Sequence, residues 1–329
     1  MSGEAPQETA AEAAAEAEAE RSQERIEAGG IPIAAERRLQ ELARSRAAGG
    51  TSATFTSDLS VNGFALCHRL GLRPISQVMG SSVYQVGYQG GSWPTLLGSG
   101  IAELRVLSQA WNEVRRLALG RLSLEAHHAG ADAVVGVQLR TATHDWAEGA
   151  IEYAVLGTAV KREGRGAAKA KGRRDDAPVL TELTVADYAK LLDAGVEPLG
   201  IVAWTSVFFA TYEANWMLEP GLFGSPTRNY ELPEFTQGVY SARERVMQRI
   251  GQQALEHGAS GIVGMRIGHT VHRRDVGGPG VRSMSGLVIT FDAIGTAVHD
   301  SPDAHARAPQ TKLDLNDESD DQEPIGEPR

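Results

Sequence analysis

Two arginines and two histidines recur at a common spacing: Arg115 with Arg243 and His144 with His272, each pair 128 residues apart. A guanidinium suits bidentate recognition of a carboxylate or phosphate. Imidazole is a common metal ligand, and His269 and Asp145 lie close in sequence to the two histidines. The expected role of Arg115 and Arg243 is a structural ion pair or a subunit contact, with an anionic ligand as the alternative. His144 and His272 are the leading imidazole candidates for a metal, against the plainer reading of solvated strand-end histidines. Cys67 is the single cysteine, so an intrachain disulfide and a cysteine-rich zinc site are excluded. It aligns with Leu191, which argues that it fills an apolar slot.

The spacing reflects a repeated block. Residues 130–136 read GADAVVG and 157–160 read GTAV; 258–264 read GASGIVG and 295–298 read GTAV again. Such self-similarity sets the domain plan before any local reading. Upstream, Gly71, Pro74 and Tyr84 match Gly195, Pro198 and Phe208 at an offset of 124. The offset grows to 128 and then 138, which places two insertions in loops of the second copy.

Each copy has the elements to position these residues. Thr184 and Asp187 form a capping arrangement ahead of Val185, Tyr188, Ala189 and Leu192, one helical face. Ser60, Val61 and Phe64 repeat it. A strand with alternating aromatics follows: Tyr84 and Tyr88 in one copy, Phe208 and Tyr212 in the other. Trp93 and Trp216 sit in the loops after these strands. The aromatics are candidates for a ligand pocket or a subunit interface. A long helix carries Val114, Ala118, Leu122 and Ala126 on one stripe, matched by Ala242, Val246, Ile250 and Ala254. Gly130 and Gly258 end these helices, and Gly136, Gly264, Gly157 and Gly295 permit close approach within the sheet. Asp132, replaced by Ser260 in the second copy, is expected to hold nearby backbone amides at the helix-to-strand turn.

The fold class expected is therefore α+β: two tandem β-α-β-β domains, each a helix on a small antiparallel sheet, each preceded by a short helix. The boundaries are 51–162 and 178–299. A basic linker, 163–177, separates them; Lys161–Arg174 holds seven Lys or Arg. Residues 1–50 read as low-complexity sequence with a short helix at 33–47, and 1–28 as disordered or transiently helical. Residues 300–329 read as a disordered acidic tail.

The formal net charge is −10. It resides in the two terminal segments, whereas 51–299 holds 23 acids and 23 bases, so no nucleic-acid partner is expected. No membrane association is expected either, since no apolar run reaches spanning length. The acidic N-terminus does not read as a signal peptide, which makes the expected location cytoplasmic.

VMGSSV at 78–83, Arg115, GADAVVG and GTAV together resemble the YbjQ-like family, whose members are labelled heavy-metal-binding domains. The resemblance covers roughly 74–162, and a more divergent second stretch roughly 198–299. It implies small β-α-β-β domains that assemble into rings, often pentamers, and it brings no reaction. The function expected is a non-enzymatic, homo-oligomeric scaffold or small-ligand-binding protein. The alternative is a heavy-metal-binding or metal-sensing protein. No cofactor is expected beyond a metal ion in that alternative, and the charged tails offer sites for a protein partner.

Overall fold

The computed structural model describes residues 5–47, 56–86, 100–143, 150–163, 177–211, 231–276 and 284–300. Among these residues the chain is mixed α+β, with six helices and two four-stranded sheets. The helices α1 (Ala5–Glu27) and α2 (Ile33–Ala47) come first. A first half follows with α3 (Val61–Arg69), β1 (Leu72–Gln85), β2 (Ile101–Glu103), α4 (Arg105–His128), β3 (Ala133–Thr143) and β4 (Ala150–Arg162). The second half has β5 (Val179–Leu180), α5 (Val185–Asp193), β6 (Val196–Thr211), α6 (Pro233–Glu256), β7 (Gly261–Val276) and β8 (Met284–Asp300).

Local chemistry explains the matching elements. The Ser60 hydroxyl accepts from the Gly63 amide at the start of α3, and the Thr184 hydroxyl accepts from the Asp187 amide at the start of α5. The apolar stripes of α4 and α6 bury Val114, Ala118 and Leu122 in one core and Ala242, Val246 and Ile250 in the other. Helix α4 approaches β1 closely at Gly80, where a Cβ would stand 2.0 Å from the Ala118 carbonyl oxygen.

Both sheets bend at corresponding places. The β3–β4 ladder shifts register between Val135 and Gln138, and β7–β8 shifts between Val263 and Arg266. Gly136 and Gly264, each at φ +65, lie within those bulges in a region L side chains rarely adopt. Gly157 and Gly295 lie opposite: a Cβ there would meet Val134 Cγ1 at 2.6 Å and Ile262 Cγ2 at 2.7 Å.

One feature departs from the expected plan. The halves exchange short strands, so neither sheet is made from one half alone. The first sheet runs β1-β4-β3-β5 and includes β5 of the second half in a parallel pairing with β3. The second runs β2-β6-β8-β7 and includes β2 of the first half, antiparallel to β6. Residues 5–27 form a helix. Arg121 of α4 explains the docking of its end, donating to the Ile26 carbonyl at 2.9 Å and the Gly30 carbonyl at 3.1 Å. The turn and α2 add the Arg25–Glu36 and Arg37–Glu18 ion pairs. Of the linker, 164–176 lies outside the described residues, as does 301–329.

Candidate functional site

Of the residues singled out by their chemistry, Arg115 lies on the seam where α4 of the first half meets β6 of the second. Arg115 is buried there. It donates to Thr205 Oγ1 at 2.8 Å, to the Ala203 carbonyl at 3.2 Å and to Asn112 Oδ1. Its guanidinium carbon lies 5.9 Å from the Tyr153 ring centroid. The direct partners are hydroxyl and carbonyl groups, so Arg115 makes a contact between halves and no ion pair at hydrogen-bond distance. Asp292, on the strand beside Thr205, supplies a nearby negative charge. Burial pushes the Asp292 pKa up, while Arg115 and His269 pull it down.

Asn112 completes the seam by pairing with the β6 edge as a strand would. Its Nδ2 donates to the Thr205 carbonyl at 2.7 Å, and its Oδ1 accepts from the Thr205 amide at 3.0 Å. Ser108 Oγ accepts from the Val207 amide at 2.9 Å, and the Leu104 amide donates to the Val207 carbonyl at 2.8 Å. The edge of β6 is thereby satisfied by side chains of α4 and by β2. On the far side, Thr181 and Leu183 carbonyls accept from Val137 and Gly136 amides, joining the second half to β3.

Arg243 does not share this environment; it is exposed on α6. Tyr84 lines a cleft of about 900 Å³ beside the seam, together with Arg115, Asn112, Trp204 and His257. Phe208 packs instead against the second core. Tyr88, Trp93, Tyr212, Trp216 and His144 lie outside the described residues. His272 is exposed on β7. Among the described residues no group of three or more His, Cys, Asp or Glu side chains is placed to hold a metal ion. Cys67 is buried among Leu72, Val135, Val160 and Tyr188, and burial pushes its thiol up to about 11. That suppresses the thiolate a metal would need.

Asp132 reaches further than its local turn: Oδ2 accepts from the Arg162 amide at 2.8 Å, at the end of β4. Ser260 performs the same task in the second half, where Oγ accepts from the Asp300 amide at 2.7 Å. The substitution between the two motifs thus keeps the hydrogen bond. A second shared feature escaped the sequence reading. Thr158 Oγ1 bonds to Asp58 and Ser57, while Thr296 Oγ1 bonds to Glu182 and Thr181. The signal was present in the matching SDLSV and TELTV segments. Glu182 is the more enclosed acid: burial raises its pKa, and its Oε1 has no hydrogen-bond partner.

A family model described as "Putative heavy-metal-binding" (YbjQ_1) matches residues 76–163, which span β1 to β4. The Encapsulin nanocompartment protein Rv1762c of Mycobacterium tuberculosis is 36% identical over 249 residues, covering 72% of this chain and 89% of that protein. The chain belongs to the same protein family as Rv1762c. A UPF0145 protein of Clostridium novyi is 45% identical over 67 residues, 20% of this chain and 60% of that protein. The family model falls on the first half, whereas the similarity to Rv1762c extends beyond what either half alone would supply. No helix among the described residues is long and apolar enough to cross a membrane.

Proposed function

We propose that this chain is a non-enzymatic, homo-oligomeric scaffold built from two YbjQ-like domains of the β-α-β-β type, and that it serves a protein compartment of the kind its mycobacterial relative is named for. One observation carries the reading. Arg115, the leading candidate for an anionic ligand, and its neighbour Asn112 use their hydrogen bonds to join the two halves. Matching bulges, caps and glycine contacts support a duplicated domain. The relative's name supports a place in an assembly.

Native mass spectrometry of the untagged protein, with and without chelator, tests this. The scaffold reading expects a multi-chain ion whose mass does not change with chelator. A stoichiometric excess removed by chelator favours the metal reading instead, for which the family description is the supporting observation. In that event, replacing both His144 and His272 with alanine should abolish metal uptake.

A further inference from the structure

We infer that the seam inside the chain is repeated between chains: the N-terminal part of α6 and the open edge of β7 dock on the β1 edge and α3 of a second copy, head to tail. The inference rests on the scaffold reading and names the surfaces through which that scaffold would assemble.

At the outer edges, corresponding residues of the two halves differ sharply in exposure. Val185 of α5 is 2% exposed, whereas its counterpart Val61 of α3 is 85% exposed. Val207 on the β6 edge is 0% exposed and Val83 on the β1 edge is 55% exposed. Ala203 is 7% exposed and Met79, its counterpart, 48%. On the last pair of edges, Val135 and Val137 of β3 are buried, while Val263 and Met265 of β7 are only half-buried and Ile267 is exposed. Each buried member lies at the intrachain seam. Each exposed member lies where that seam would recur between chains.

The docking side chains are also present. Tyr240 and Arg243 are exposed on α6 at the positions that Asn112 and Arg115 hold on α4. Arg243 then donates to Ser81 Oγ and the Met79 carbonyl, as Arg115 donates to Thr205 Oγ1 and the Ala203 carbonyl. Thr236 stands where Ser108 stands and accepts from the Val83 amide, as Ser108 accepts from Val207. Among the described residues no strand flanks the outer side of β1 or of β7, and although Gln77, Met79 and Ser81 have partners within the first half, the edges are a template for another chain.

The contact joins unlike surfaces, so a closed assembly is a ring in which first and second halves alternate. Such a ring always holds an even number of halves, which excludes a five-domain ring of this design. Asp292 has Ala154 as its counterpart, so the seam between chains lacks the carboxylate that faces Arg115. It is the weaker seam, and dilution yields single intact chains.

The test uses full-length chains carrying Val83→Cys alone or Thr236→Cys alone; Cys67 is buried and stays out of reach. A short bifunctional thiol crosslinker should give a covalent dimer in the mixture and in neither chain by itself. Val83→Lys, an exposed position that leaves the fold alone, should reduce the native mass to the single chain of 35.1 kDa. A multi-chain native protein without the mixed crosslink, or with one in Val83→Cys alone, overturns this seam and leaves the scaffold reading standing. A single chain at every concentration overturns both.

Discussion

The first and second halves are built alike inside and finished differently outside. Their helix stripes, bulges and glycine contacts correspond, yet β6 is covered along its edge by α4 while β1 is covered only in part by its own half. Glu125 accepts from the Met79 amide at 2.9 Å, and Gln253 accepts from the Ala203 amide at 3.0 Å, so this contact from each half's own helix corresponds, while Arg121 of α4 also donates to the Ser81 carbonyl. The difference comes from the neighbouring half. It teaches that the repeated Arg meets unlike surroundings: Arg115 joins the two halves, whereas Arg243 is exposed on α6.

The largest expected effect breaks that comparison directly. Arg115→Ala removes the donor to Thr205 and Ala203 and leaves half-buried Asp292 without the Arg115 charge, costing about 3 kcal/mol in urea denaturation. Arg243→Ala, measured at a dilution that gives single chains, should change stability by less than about 0.5 kcal/mol. Equal losses would break the account of two unlike environments.

Gly157→Ala and Gly295→Ala test the internal likeness. Each Cβ would meet a side chain at under 3 Å, so each should cost about 2 kcal/mol, and the two values should agree. A large inequality would mean that the bulges differ in kind.

Glu182→Gln should stabilise the protein at pH 7 by on the order of 1 kcal/mol, because it removes a buried charge whose Oε1 is unpartnered. The folded-state pKa of Glu182 lies above its ordinary value of 4.5, so its favourable contribution is present below pH 4.5 and is lost as pH rises through the folded pKa. Thermal melts of the variant should therefore lose part of the decline in stability above pH 4.5. Asp58→Asn in the first half carries no such expectation of stabilisation.

The smallest effect is alkaline. The Cys67 thiol is raised from 9.0 to about 11, so its contribution is complete below pH 9 and is lost as pH rises through about 11. Melts between pH 9 and 11 should show a decline that Cys67→Ala reduces, on top of the variant's constant packing loss.

Much of this fold was legible because it is local and periodic. The stripe of Val114, Ala118 and Leu122, the caps at Ser60 and Thr184, and the apolar slot of Cys67 depend on neighbours a few residues away or on alignment of the halves. The exchanged strands β2 and β5 were not legible, since two or three residues carry no period. Asn112 and Ser108 were missed for an instructive reason. Comparing the halves favours residues present in both, and these two act at a seam the chain completes only once within itself. Asp132 was read as a local cap because its amide partner lies 30 residues away, on a strand brought close only by folding.

Amide hydrogen exchange of the full-length protein across a dilution series tests the central claim most directly. Thr205 and Val207 should stay protected at every concentration, held by Asn112 and Ser108. Ser81 and Val83 should be protected when chains are concentrated and lose that protection on dilution. Free exchange at Ser81 and Val83 at all concentrations, in a protein that is multi-chain by mass, would contradict the account.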